Sequence, residues 1–167
     1  DFPILSRQVN GKPLVYLDNG ASAQKPQVVI DAVMRGYGEE YANVHRGLHF
    51  LSNLSTEKYE GTRAIVARFL NAPSEDDIIF NSGTTEGINM VAYAWAMPRM
   101  QAGDEIVLSV MEHHANIVPW HFLRERQGIV IKWVDVDANG DLDPQAVIDA
   151  ITPRTKLVAV TQVSNVL

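Results

Sequence analysis

Asp77-Ile78-Ile79-Phe80-Asn81-Ser82-Gly83-Thr84-Thr85-Glu86-Gly87 joins an apolar run to a long helical pattern through a glycine turn. A buried strand that turns through glycine into a helix start makes an anion site. Unpaired backbone N–H groups and the positive end of the helix dipole point at one spot. The hydroxyls of Thr84 and Thr85 add donors there. The same residues also read as ordinary capping, because Thr is a common N-cap and a capping box needs no ligand. The stretch alone leaves both readings open.

The pattern on either side sets the fold class. Leu14-Val15-Tyr16-Leu17 reads as a short strand broken by Asp18-Asn19-Gly20, and Lys25-Pro26 opens a helix through about Glu40 with Pro in a tolerated first-turn position. Residues 41–50 have no clear period and read as a loop. A second helix is expected from Ser52 to Leu70, with Tyr59, Ile65, Val66, Phe69 and Leu70 as an apolar stripe at helical spacing. After the strand at 77–80 come a helix over 84–97, a strand over 105–110 and a helix over 116–127 with Gly128 as C-cap. A strand over 129–136 follows, then a helix opened by Asp143-Pro144, then a last strand over 157–163. Strands that alternate with helices, several of them nearly all Val, Ile and Leu, predict an α/β fold. Its sheet is parallel or mostly parallel, with helices on both faces.

Composition bounds the function. A chain of 167 residues is long enough for one domain with a real core and short for two. Its 46% hydrophobic and 20% charged content describes a globular chain, and a net charge of -6 argues against a nucleic-acid surface. No apolar stretch approaches the roughly 20 residues of a spanning helix, and the start Asp1-Phe2-Pro3-Ile4-Leu5 lacks the features of a secretory signal. The absence of cysteine excludes disulfides and thiolate metal sites within these residues and is compatible with the cytoplasm. The chain has no initiator Met and stops at Ser164-Asn165-Val166-Leu167, just past a buried strand, where this architecture builds its sites. We therefore expect residues 1–167 to be part of a longer protein. Dinucleotide-fingerprint, P-loop and nucleophile-elbow motifs are missing.

Three polar clusters fall at carboxyl ends of expected strands: Gly83-Thr84-Thr85, Glu112-His113-His114-Ala115-Asn116, and Gln162-Val163-Ser164-Asn165. Convergence on one edge of a parallel sheet is how such a fold makes a ligand pocket. For His113 and His114 three readings stand: a polar helix entry, a metal pair, or one imidazole lying on a planar cofactor ring or shuttling protons. Adjacent helical residues point about 100° apart, which disfavours the metal pair. His45 and His49 sit four apart, but Gly47 between them weakens a helical metal site. Arg46 is either a fork for a carboxylate or phosphate or a plain surface cation. Asn165 is either a strand-end turn former or a donor aimed into the pocket. Met90, Trp95, Met97, Met100 and Trp120 read as packing.

Taken together, five stretches resemble one family: Tyr-Leu-Asp-Asn-Gly-Ala-Ser at 16–22, Asn-Val-His-Arg-Gly at 43–47, Gly-Thr-Thr-Glu-Gly-Ile-Asn at 83–89, Met-Glu-His-His-Ala-Asn-Ile-Val-Pro-Trp at 111–120 and Val-Ser-Asn-Val-Leu at 163–167. In order along the whole chain, they are similar to the N-terminal part of the pyridoxal-phosphate-dependent cysteine desulfurases, the aminotransferase class V branch that includes selenocysteine lyase-like proteins. The resemblance implies the three-layer large domain of fold-type-I aminotransferases, incomplete in this chain. Residues 1–15 would be an N-terminal arm or small-domain segment, and residues 16–167 the first part of the cofactor-binding domain. It implies that Thr84 and Thr85 cradle the phosphate of pyridoxal 5'-phosphate, and that His113 stacks on the ring and assists proton transfer. Asn165 would bond near the ring oxygen and the substrate carboxylate. Asn19, Gly20 and Ala21 would border the substrate, and His45 and Arg46 would lie at its entrance near a homodimer interface. The implied reaction takes sulfur from L-cysteine, or selenium from L-selenocysteine. It leaves alanine and an enzyme persulfide, for transfer to an acceptor protein in iron–sulfur cluster assembly.

The chain departs from the pattern in three places. Gly20 stands where relatives usually have Ala, Asn81-Ser82 replaces a pair that often includes Arg, and Gln162 occupies a position that is commonly His. The Schiff-base Lys, the Asp for the pyridinium nitrogen, the Arg for the substrate carboxylate and the nucleophilic Cys of the family find no counterpart in residues 1–167. On this reading these residues alone are inactive. Two alternatives remain at this stage: another fold-type-I enzyme (a kynureninase-like lyase, an epimerase or an aminotransferase), or a truncated non-catalytic protein that binds or dimerises.

Overall fold

Glu105–Ser109 is buried at all of its positions. This strand, β3, is the axis of its half of the computed structural model, which describes residues 1–167. The chain divides into two compact units, Asp1–Ile79 and Phe80–Leu167.

In the second unit β3 lies between β4 (Val130–Val134) and β5 (Thr155–Ala159), parallel to both. The chain runs from β3 through α5 (Val118–Gln127) to β4, then through α6 (Pro144–Ala150) back across to β5 on the far side. Right-handed crossovers in opposite directions put their helices on opposite faces, and the contacts agree. Ile106 and Leu108 pack with Trp120 and Leu123 of α5, whereas Lys132 on β4 donates from Nζ to the Ala150 carbonyl of α6 at 2.7 Å. The expected parallel sheet with helices on both faces is present. Burying a Leu, Ile or Val side chain contributes about 1.5–3 kcal/mol, against about 0–1 kcal/mol for an exposed ion pair. The apolar layer, not the surface charge, therefore holds this unit together.

Local chemistry explains the helices. α3 (Thr84–Met90) continues through a wide π-turn at Val91–Ala96 into α4 (Met97–Arg99). Pro98 cannot donate to the carbonyl four residues back, and the Arg99 guanidinium bonds Ala94 O at 3.3 Å and Trp95 O at 3.2 Å instead. Gly128 ends α5 in the left-handed region at φ 72, and Asp143 Oδ1 caps α6 by accepting from Gln145 N at 2.8 Å, both as expected.

In the first unit α1 (Gln27–Arg35) runs on as a wide turn through Glu40, and α2 spans Phe50–Leu70. α2 begins two residues before its expected start because His49 caps it, Nδ1 accepting from Ser52 N. The loop before α2 is clamped on Ser52, which is fully buried: its Oγ accepts from Gly47 N at 3.0 Å and donates to Asn43 O at 2.7 Å. A Cβ at Gly47 would lie 2.5 Å from Ser52 Cβ, so only glycine fits.

Several expectations are corrected. Residues 14–17 form no ladder, and Val15 and Leu17 are 75% and 91% exposed. The hairpin lies just before them, β1 (Gln8–Val9) against β2 (Lys12–Pro13), turned by Asn10 and Gly11 at φ 52 and 73, the backbone an Asn-Gly turn supplies. Residues 77–80 are not a strand. Ser74 and Asp77 cap each other around a short 3-10 turn at Glu75–Asp77, and Ile78–Phe80 stays outside the sheet. β5 covers 155–159, not 157–163, because Thr161 N turns to the Glu112 carboxylate instead of a neighbouring strand. The apolar stripe of α2 is largely exposed at Ile65, Phe69 and Leu70, and the buried residues of that helix are Ser52 and Ala67.

Glu105, at the start of β3, is 3% exposed and accepts from Thr152 Oγ1 at 2.6 Å, Arg154 Nη2 at 3.0 Å and Thr155 Oγ1 at 3.2 Å. The Thr152 hydroxyl, helped by Arg154, Lys132 and Thr155 against the cost of burial, holds its carboxyl below the usual range. A carboxyl with a depressed folded-state pKa adds stability that is complete above the ordinary value of about 4.3 and fades as pH falls through the lowered one. Urea midpoints from pH 7 to pH 3 should therefore drop more steeply for the parent than for Glu105→Gln; equal slopes would contradict this role. Gly47→Ala should lower unfolding stability by about 1–3 kcal/mol, the usual cost of overpacking, as read from urea melts.

Candidate functional site

Gly83 opens α3 with φ 140, a conformation L side chains rarely adopt. Asn81 and Glu86 shape the turn: Asn81 Oδ1 accepts from Gly83 N at 2.9 Å, and Glu86 Oε2 accepts from Ser82 N at 2.6 Å. That backbone donor holds the Glu86 carboxyl below its ordinary range. Asn81 and Ser82 thus build the turn with their own atoms. The first bond of the helix runs from Gly87 N to Gly83 O at 3.1 Å. The N–H groups of Thr84, Thr85 and Glu86 therefore face outward with the two exposed threonine hydroxyls, an anion-binding donor set.

The second element is the turn after β3. His113 precedes a 3-10 turn at His114–Asn116 and caps it, its Nδ1 accepting from Ala115 N at 3.0 Å. A neutral ring held this way carries its proton on Nε2. The His113 and His114 rings meet edge to face, with centroids 6.1 Å apart and planes inclined by 60°. Thr85, Asn89, His113, His114, Pro119 and Phe122 line one cavity of about 370 Å³. Helix start and imidazole thus share one open space, and Asn89, bonded to Thr85 O at 2.8 Å, is a wall residue that sequence reasoning did not single out.

Sequence reasoning also missed what lies beneath the turn. Glu112 and Ser109 are buried and bonded to each other, and Asn116 bridges Glu112 to Trp120. No pattern in the residues marked this network, because the three lie on a turn, a 3-10 segment and a helix. Trp120 is packing, as expected, at 1% exposure, and its indole N–H is bonded as well.

The remaining residues lie elsewhere. Asn165 is exposed in the loop after β5 and does not line the His113 cavity. Its neighbour Gln162 lines a second space of about 460 Å³ with Met111, Asp141 and Thr161. Asn19, Gly20 and Ala21, in the first unit, form an exposed turn tied by Gln24 N to Asn19 Oδ1 at 3.0 Å and by Tyr16 Oη to Ser22 O at 2.7 Å. His45, also in that unit, has φ 69, and its Nε2 lies 2.6 Å from Glu60 Oε1. Arg46 is exposed beside it. His45 and His49 are thus engaged with Glu60 and Ser52, not with each other.

The donor set fits a phosphate monoester that carries a planar ring: Thr85, at the open helix start, and the His113 imidazole line the same cavity. Comparison with known proteins gives the same direction. The chain is 52% identical over all 167 residues to a cysteine desulfurase of Enterobacter sp. (strain 638), of which it covers 41%. It overlays 90% of its length on an apo cysteine desulfurase from Thermococcus onnurineus NA1, with TM-score 0.84, 38% identity and 37% of that chain covered. A more distant structure, a mutant of C-DES with glycine covalently linked to its PLP cofactor, gives TM-score 0.65 at 25% identity over 84% of this chain and 36% of that one. The chain thus spans about 40% of the length of each of these relatives. Residues 15–167 match the aminotransferase class-V model, and the chain belongs to the aminotransferase class-V family.

Proposed function

We propose that residues 1–167 are the phosphate- and ring-holding part of a cysteine desulfurase that uses pyridoxal 5'-phosphate. The carrying observation is the cavity in which Thr85, at the open start of α3, faces His113. Thr84 and Thr85 bind the phosphate through N–H groups and hydroxyls, and Gly83 gives the backbone turn that aims them. His113 lies against the ring; with Nδ1 tied to Ala115 N–H, its Nε2 is the nitrogen left to hold or move a proton. Bound there, the cofactor supplies an electron sink for chemistry at the substrate α-carbon. Asn165, Asn19, Gly20, Ala21, His45 and Arg46 are proposed as substrate-side residues. The family match beginning at residue 15 supports reading the segment before it as an arm.

In the complete protein the Cβ–Sγ bond of L-cysteine breaks, alanine leaves, and sulfur stays as a persulfide on an enzyme thiol. Residues 1–167 hold no cysteine, so that thiol lies outside them. Selenocysteine as a second substrate, a homodimer, a protein acceptor feeding iron–sulfur cluster assembly and a cytoplasmic site extend the same reading. No helix is long and apolar enough to cross a membrane.

A charge-assisted hydrogen bond is worth about 1.5–3 kcal/mol, so Thr85→Val should weaken binding of pyridoxal phosphate by about tenfold or more. Binding of pyridoxal, which lacks the phosphate, should hardly change. Equal losses for both ligands in a fluorescence titration would remove the phosphate role from this turn. His113→Ala should lower kcat for sulfide release by about 10²–10⁴-fold, the range of a lost acid–base group, with the phosphate contacts intact. A wild-type kcat in that variant would rule out proton transfer by His113.

A further inference from the structure

Glu112 immediately precedes His113 but points the other way: it is 8% exposed, and three donors fall on its carboxylate. These are Ser109 Oγ, Thr161 N at 2.8 Å and Asn116 Nδ2 at 2.8 Å. Asn116 Nδ2 also reaches Ala159 O at 3.2 Å, and Asn116 Oδ1 accepts from Trp120 Nε1 at 3.0 Å. An indole nitrogen can only donate. It fixes the Asn116 oxygen toward Trp120 and the amide hydrogens toward Glu112. Position 112 must then accept in every direction, the role of a carboxylate. A glutamine there sets its NH₂ against the amide of Asn116 or, turned over, against the N–H of Thr161. Either way one buried donor faces another.

What the bonds join decides what they do. Ser109 ends β3, Thr161 opens the loop that carries Gln162 and Asn165, and Glu112 anchors the turn on which His113 stands. We propose that Glu112 is a positioning residue: its carboxylate locks the His113 turn to the start of the 161–165 loop and so holds the imidazole in one place against the ring. This rests on the reading of His113 as the ring-facing residue.

The test uses the complete protein loaded with pyridoxal phosphate. It reads the visible circular dichroism of the bound cofactor, which reports asymmetric contacts around the ring, beside cofactor affinity, KM and kcat. Glu112→Gln should keep the affinity within about threefold, because the phosphate turn is a separate site. It should lose most of the dichroic band, and kcat should fall by about 10²-fold with KM little changed, the scale of an ångström misplacement at a reacting centre. Trp120→Phe alone removes core packing and the indole donor but leaves the carboxylate and its three donors in place, with Asn116 still held by Ala159 O, so the band should persist while the urea midpoint falls. An unchanged band in Glu112→Gln, or an equal loss of the band in Trp120→Phe, overturns the proposal. If Glu112→Gln does not fold, Ser109→Ala, which removes one donor only, decides: a partial loss of the band supports the lock, and an unchanged band overturns it. Failure of the parent protein to retain pyridoxal phosphate would sink the cofactor reading itself, and this inference with it.

Discussion

Both ends of β3 are held by buried carboxylates, and the order of the second unit hangs on those two anchors. At the entry, Glu105 belongs to the strand itself and gathers Thr152, Arg154 and Thr155 from the turn that starts β5. At the exit, Glu112 gathers Ser109, Asn116 and Thr161 from three different elements. A buried anion is costly unless its lone pairs are filled by well-placed donors. Each carboxylate therefore dictates where its donors stand. Between them Ile106, Val107 and Leu108 of the strand are fully buried, and apolar burial supplies cohesion but little direction. Cohesion comes from the apolar layer and register from the anions.

The division of labour extends to the carboxyl edge. α3 starts without side-chain capping at Gly83 and so leaves its first N–H groups facing outward. α6 spends a side chain, Asp143, on the same need. The difference is what a ligand-binding helix start requires: donors withheld from internal partners. The His113 turn is built on the opposite plan, with Glu112 below it bonded several times over, so that one exposed imidazole is presented from a fixed base.

Much of this was legible in the residues. The order of strands and helices, the parallel sheet, the caps at Gly128 and Asp143 and the shared wall of Thr85 and His113 follow from period, turn chemistry and the rule that sites gather at strand ends. The errors share one cause. Leu14–Leu17 and Asp77–Phe80 have strand composition, but a strand exists only through a neighbour, and no local pattern shows whether one is in reach. In the first case Asn10-Gly11 had already used the hairpin signal a few residues earlier; in the second the acidic run after Ser74 favoured a capped turn. The stripe on α2 failed similarly: helical spacing shows a face, not what lies against it. The Glu112 network was hidden for another reason. Its residues read singly as a polar helix entry and a packing tryptophan, and only donor polarity, which needs coordinates, joins them.

The strand order β4-β3-β5 also has a consequence in time. β3 obtains its first neighbour only after α5 has been made and its second only when Ala159 is reached, about 50 residues after Ser109. At roughly 5–20 residues per second of synthesis, the most deeply buried strand of this unit waits several seconds on the ribosome for its last partner. Parallel pairing cannot shorten that delay, because each crossover must close before the ladder can form. The charged start of the strand, Asp104-Glu105, is the part that remains solvated in the meantime, and it lies at the end that emerges first.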